Sequence, residues 1–127
     1  EFLGSLDQEG IRECYITSDV FLFTGVVARN GDRDGIPNVI PEAMSAGCLI
    51  LSSCFAGASE AFIEDVSGFS LNPFESKEWV HLLSEFWKSP RSFARIRRSA
   101  IQYSKDSFNI TRTANSISKA IIAGSKR

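Results

Sequence analysis

The chain has 127 residues, 43% of them hydrophobic and 23% charged, with a formal net charge of -1. Such a length holds one domain with a modest core, and the mixture is that of an ordinary soluble globular protein. Apolar runs such as Val20 to Phe23 and Leu49 to Leu51 are far too short for a membrane span, which needs about 20 apolar residues.

In chain order, "EFLG" reads as the end of a strand already under way. No signal-peptide pattern opens the chain, and Met44 is its only methionine, so a piece of a longer polypeptide is expected. "QEGIRECYITS" predicts a short helix with Ile11, Cys14 and Tyr15 on one side. "DVFLF" is a strand, followed by the loop "TGVVARNGDRDGIP". "NVIPEAMSAG" is helical with a closing glycine, and "CLILSS" is a second buried strand. "AGASEAFIEDV" predicts a short helix and "GFSL" a last strand before Asn72-Pro73. From there only helices follow. In "SKEWVHLLSEFWKS", Trp79, Val80, Leu83, Phe86 and Trp87 share one apolar face. Pro90 separates it from "RSFARIRRSAIQYSK", and "NITRTANSISKAIIA" ends the chain.

Continuous apolar strands alternating with helices predict an α/β domain, a Rossmann-like parallel sheet with helices on both faces and a helical C-terminal segment. We expect one domain over residues 1–127, with βα units to about residue 74 and helices from about residue 75. About four strands fall short of a complete doubly wound sheet, which fits the second half of such a domain.

Cys14, Cys48 and Cys54 show no metal-ligand spacing. The strand "CLILSSC" would hold Cys48 and Cys54 roughly 20 Å apart, too far to bridge. Buried, reduced thiols and a cytoplasmic location are expected. Charge is uneven. Residues 1–87 carry 4 Lys/Arg against 14 Asp/Glu, whereas residues 88–127 carry 10 against 1. An anionic surface met by one end is the partner this implies.

The stretch "GDRDGIPNVIPEAM", residues 31–44, admits three readings. Asn30, Asp32, Asp34 and Gly35 imitate the start of a calcium loop, but its closing position, residue 41, is proline, and the preceding segment is a strand. Asp32-Arg33-Asp34 spells the short Asp-x-Asp pattern of another class of glycosyltransferases, and "NGDRDG" fits a solvated turn at least as well. In the third reading the loop leaves the carboxyl end of a strand and enters a helix near Pro37-Asn38, where open α/β sheets bind ligands. Free N–H groups at that helix start favour a phosphate, Gly35 permits close approach, and carboxylates suit hydroxyl groups. A sugar diphosphate combines both.

The ordered run "DVFLF", "DRDGIPNVIPEAMSAGCLILSS", "GASEAF" and "SGFSL" resembles the retaining glycosyltransferases of family four, the glycosyl transferases group one. The likeness runs from "FLG" to "SFNITRTA" and is to the second half of the C-terminal donor-binding domain of their GT-B architecture. It implies a nucleoside-diphosphate sugar donor, a glycan or lipid-linked acceptor, no metal and no other cofactor. In that family two glutamates eight positions apart frame the donor site. By resemblance Glu42 holds the ribose, and Asp34 stands where the first glutamate faces the donor sugar, one methylene shorter. Backbone groups of Gly35, Ile36, Pro37 (carbonyl only) and Asn38 are implicated with the phosphate and sugar, and Gly4 and Ser5 lie toward the nucleobase. Pro41 is a further departure, tolerated only in a first helical turn, so it sets the helix start near Asn38. Family members supply an Arg and a Lys from upstream of "FLG", so transfer by this chain alone is not expected.

Glu60 in "GASE" matches a family glutamate and reads as a partner of a helix start. His81 reads as a surface residue, and Ala43, Ala46 and Gly47 as small residues for close helix packing. Arg91, Arg95, Arg98 and Lys105 fall on one helical face. A solvated face is the ordinary reading, and contact with anionic lipid the sharper one. Nucleic acid lacks a recognised module. The rival from another class is a stand-alone α/β binding or signalling module without catalytic activity, for which "DVFLF" places its aspartate at the wrong end of the strand.

Overall fold

The computed structural model describes residues 2–26 and 35–111, together with 114, 115, 118, 119 and 121. Elements run α1 (Gln8–Thr17), β1 (Val20–Phe23), α2 (Val39–Ala46), β2 (Leu49–Ser53), a 3-10 helix (Ala56–Glu60), β3 (Phe69–Leu71), α3 (Ser76–Lys88), a 3-10 turn (Pro90–Phe93) and α4 (Ala94–Ser107). Further on, residues 110–111 and 114–115 are helical.

The sheet is parallel throughout, in the order β1-β2-β3. Val20 pairs with Leu49 and Phe23 with Ser52, while Leu51 pairs with Phe69 and Ser53 with Leu71. β2 is central and buried at all five positions, as expected for a strand covered on both faces. Alternation sends its side chains to opposite layers. Ile50 joins Ile40, Ala43 and Met44 of α2, Phe62, and Ala100 of α4. Leu49 and Leu51 instead meet Leu71 and Trp79 and Phe86 of α3. The predicted α/β class, with helices on both faces of a parallel sheet, is the class observed.

Local chemistry sets the helix ends. Asp7 caps α1 by accepting the Gly10 N–H at 2.9 Å. α2 closes at Gly47, whose φ of +88° is left-handed. There the N–H groups of Gly47 and Cys48 donate to the carbonyls of Met44 and Ala43, a closure that favours glycine. Pro41 occupies the third position of α2, inside the first turn as its missing N–H requires. Two ties from α4 hold α2 in place. The Ser104 hydroxyl donates to the Pro41 carbonyl at 3.0 Å, and Arg97 Nε donates to the Gly47 carbonyl at 2.6 Å.

Several expectations need correction. Residues 2–4 form no strand: a strand exists only by pairing, and Phe2 stands fully exposed. Three strands pair among the described residues, not four. The segment after β2 makes only a 3-10 helix, and Glu60 is its last residue, so it cannot partner a helix start. The apolar face of α3 is narrower than its spacing predicts. Trp79 and Phe86 are buried, but Val80 is 62% and Trp87 76% exposed, because the layer under β2 covers only the centre of the stripe. Arg91 lies in the 3-10 turn, off the α4 helix that carries Arg95 and Arg98. All three cysteines are free, but only Cys48 is buried. Cys54 is exposed, one residue past the end of β2.

Candidate functional site

β1 ends at Phe23, and Gly35 to Asn38 lead into α2, which begins at Val39. The site is therefore at the carboxyl end of a parallel strand, at the mouth of a β–α connection. Asp32 and Asp34 lie outside the described residues. Gly35, Ile36 and Asn38 are exposed and Pro37 is half-buried.

The helix start offers a phosphate fewer donors than the sequence reading supposes. Pro41 has no N–H, Ile40 donates to the Pro37 carbonyl at 3.1 Å, and Glu42 donates to the Asn38 carbonyl at 3.2 Å. Any N–H recognition by α2 is thereby confined to Asn38 and Val39 and to the loop before them.

Close backbone approach is also present, but at a residue that sequence reasoning passed over. A side chain on Gly35 would meet open space. A Cβ on Gly57 would instead sit 2.6 Å from the Gly35 carbonyl carbon, 2.7 Å from its oxygen and 2.8 Å from the Ile36 nitrogen. The 3-10 helix thus rests its backbone directly on the loop that precedes α2. Behind it, the Ser53 hydroxyl donates to the Gly25 carbonyl, tying the end of β2 to the loop after β1.

Glu42 projects from α2 into a cleft of about 780 Å³ between α2 and α1, lined also by Gln8, Glu9, Ile11, Arg12 and Tyr15. Tyr15 and Glu42 line this cleft from the two helices. Burial, and next the Glu42 charge, push the Tyr15 hydroxyl up from 10.0 to about 12. The hydroxyl therefore stays protonated at any physiological pH. Tyr15 is itself held by an edge-to-face contact with Phe21, centroids 5.7 Å apart. Its carbonyl accepts the Cys48 Sγ–H at 3.2 Å, and burial pushes that thiol up.

Of the donor-binding residues expected from the sequence, Glu42 lines this cleft, whereas Gly35 to Asn38 lie at the entry to α2 instead. Gly4, at φ +71°, and Ser5 are exposed and precede the first lining residue, Gln8. Tyr15 and Gly57 were missed. The first reads from its spacing as a packing residue of α1. The second sits in "GASE", where only a carboxylate draws notice.

A second hollow, about 500 Å³, lies between the end of α2 and the start of α4, lined by Gly47, Pro90, Arg91, Arg97 and Arg98 among others. Arg97 is engaged, its Nη1 3.3 Å from Asp19 Oδ1 as well as its Nε on Gly47. Arg91, Arg95 and Arg98 are exposed. Among the described residues no group of three His, Cys, Asp or Glu could hold a metal, and no helix is long and apolar enough to cross a membrane. His81 is exposed, as its place on α3 predicts.

The amylovoran biosynthesis glycosyltransferase AmsK of Erwinia amylovora is 35% identical to this chain over 69 residues, 54% of this chain and 17% of that protein. The putative colanic acid biosynthesis glycosyltransferase WcaL of Escherichia coli (strain K12) is 32% identical over 69 residues, with the same coverage. The match thus spans 17% of the length of these curated relatives. Among solved structures, Anabaena Alr3699/HepE in complex with UDP and glucose superimposes with a TM-score of 0.82 at 23% identity, covering 97% of this chain and 32% of that one. Sucrose-phosphate synthase from Thermosynechococcus elongatus does so with a TM-score of 0.78 at 16% identity, covering 98% and 30%. These two likenesses show the fold. Residues 1–106 match the family described as glycosyl transferases group 1, and to that family this chain belongs.

Proposed function

We propose that this chain is the donor-binding part, the second half of the C-terminal domain, of a retaining glycosyltransferase. It binds a nucleoside-diphosphate sugar and serves transfer of the sugar to a glycan or lipid-linked acceptor, without a metal. Glu42 accepts hydrogen bonds from the ribose hydroxyls, and Asp34 faces the sugar. The loop from Gly35 to Asn38 borders the diphosphate, and Gly4 and Ser5 lie toward the base. The observation that carries this reading is the position of Glu42, on a helix at the carboxyl end of β1 with its carboxylate in a cleft. Family membership supports transfer over a stand-alone binding module, and so does the UDP bound by HepE, which shares the fold. The leaving diphosphate needs fixed positive charge, which the full-length protein is expected to supply beyond the residues present here.

The exposed Arg91, Arg95 and Arg98 support a second element of the reading, contact with an anionic membrane face on the cytoplasmic side.

The test is calorimetric titration of the full-length protein with uridine, guanosine, adenosine and cytidine diphosphates in excess chelator. One of them binds; binding by none overturns the donor site. Binding that returns only with manganese or magnesium overturns metal independence and revives the Asp32-Arg33-Asp34 pattern as a metal ligand. The anomeric configuration of the transferred sugar, read by proton NMR, separates retention from inversion.

A further inference from the structure

We infer that the amino end of the sheet is a bilayer-docking face, on which Trp87 enters the interface of an anionic membrane while Arg91, Arg95 and Arg98 meet its headgroups. The inference rests on the membrane contact of those arginines proposed above, and adds to it an apolar anchor and an orientation.

Contacts from several elements bring these residues to one end of the molecule. Arg97 holds the Gly47 carbonyl, just before β2, and Asp19, just before β1. The start of α4 therefore lies at the amino end of the strands, where Arg91 and Arg98 line the hollow beside Gly47. Helix α3 runs down to the same end. Near its start the Trp79 indole donates to the Asn72 carbonyl, past the end of β3. Near its close Phe86 meets Phe93 edge-on, centroids 5.6 Å apart, and Phe93 in turn meets Phe69, the first residue of β3. The Trp87 ring is 6.4 Å from that of Phe86, and Phe93 belongs to the same 3-10 turn as Arg91. Trp87 and the arginines thus share one end of the fold.

An exposed tryptophan by itself needs no partner. One set beside a group of cations has the composition of a membrane-surface anchor: an amphipathic ring settles at headgroup level while arginines attract anionic lipid. Trp87 is 76% exposed. Lys88 is paired with Glu85 and Arg97 with Asp19, but Arg91, Arg95 and Arg98 make no ion pair among the described residues. The negative end of α2 would repel phosphates, yet its Gly47 carbonyl already accepts from Arg97. Val80, the other exposed residue of the α3 stripe, is seven residues back and so about 10 Å further from this end. It stays out of the interface. The five residues of β2, at about 3.3 Å each, then separate the bilayer from the mouth of the β1–α2 connection. That mouth opens toward water, from which a soluble nucleotide sugar arrives.

The experiment uses the full-length protein and vesicles of phosphatidylcholine with and without phosphatidylglycerol. Trp87→Ala is expected to weaken binding to the anionic vesicles about tenfold, the order expected for withdrawing a large aromatic side chain from an apolar layer. Donor affinity and the steepness of the salt dependence should not change, because the arginines remain. Val80→Ala should change vesicle binding less than about twofold. Phospholipids brominated along the acyl chain should quench the fluorescence that Trp87 contributes, taken as the difference between the protein and its Trp87→Phe variant. Unchanged binding by Trp87→Ala, absence of that quenching, or equal losses at Trp87 and Val80 would overturn the anchor. So would a Trp87 already shielded from acrylamide without vesicles, since another part of the protein would then cover it. If the unaltered protein binds no anionic vesicle, or binds as well with Arg91, Arg95 and Arg98 all replaced by glutamine, the membrane reading itself falls. If the glutamine variant loses binding while Trp87→Ala does not, the electrostatic contact stands and the inference about Trp87 falls.

Discussion

Gly57 shows how a residue without a side chain shapes the site. A methyl group there would overlap the backbone of Gly35 and Ile36, and neither segment can yield without moving the loop before α2. Gly57→Ala is therefore expected to destabilise the fold by about 1–3 kcal/mol, the usual cost of overpacking, and to lower donor affinity with it. Gly35→Ala meets open space. It should leave stability within about 0.5 kcal/mol and act on donor affinity alone. Chemical denaturation and donor titration of both variants separate the two, and equal stability losses would contradict the geometry. Glu42 was visible through the family resemblance of residues 31–44, since a carboxylate one turn into a helix reads by itself as a solvated one. The sequence did not make Gly57 visible, because that residue acts on a partner more than 20 residues away along the chain.

At the level of elements, the three paired strands were legible, whereas the strand read into "EFLG" is absent. "LILSS" has no polar face to turn outward and must be central, and it is. Helix α3 was legible in kind but not in width: periodicity gives the stripe, while the covering layer decides how much of it is buried. The same limit applies to the basic segment. Spacing places Arg91, Arg95 and Arg98 on one helix, whereas Pro90 forces a 3-10 turn that takes Arg91 off α4. All three remain exposed, so the proposed membrane contact does not need an unbroken helix. Replacing the three with glutamine should weaken binding to vesicles rich in anionic lipid by about 1 kcal/mol per residue at low salt, with donor affinity unchanged. Unchanged flotation with such vesicles would reduce these arginines to a solvated face.

At the scale of the whole molecule, the described residues supply three parallel strands and their helices. The chain covers 32% of the HepE structure that shares its fold. The described residues of this chain hold the mouth of the β1–α2 connection, the α1–α2 cleft and the Gly57 contact, the features on which the proposed donor recognition rests. The central claim is that Glu42 and Asp34 divide the donor between them. Calorimetric titration of the full-length protein, as Glu42→Ala and as Asp34→Ala, with a nucleoside diphosphate and its nucleotide sugar tests it directly. Glu42→Ala should weaken both ligands tenfold to a hundredfold, since a hydrogen bond to a charged group is worth roughly 1.5–3 kcal/mol. Asp34→Ala should leave the bare diphosphate nearly unchanged and remove the advantage of the nucleotide sugar over it. Equal loss of diphosphate affinity in both variants would contradict the division of roles, and no loss in Glu42→Ala would contradict the site.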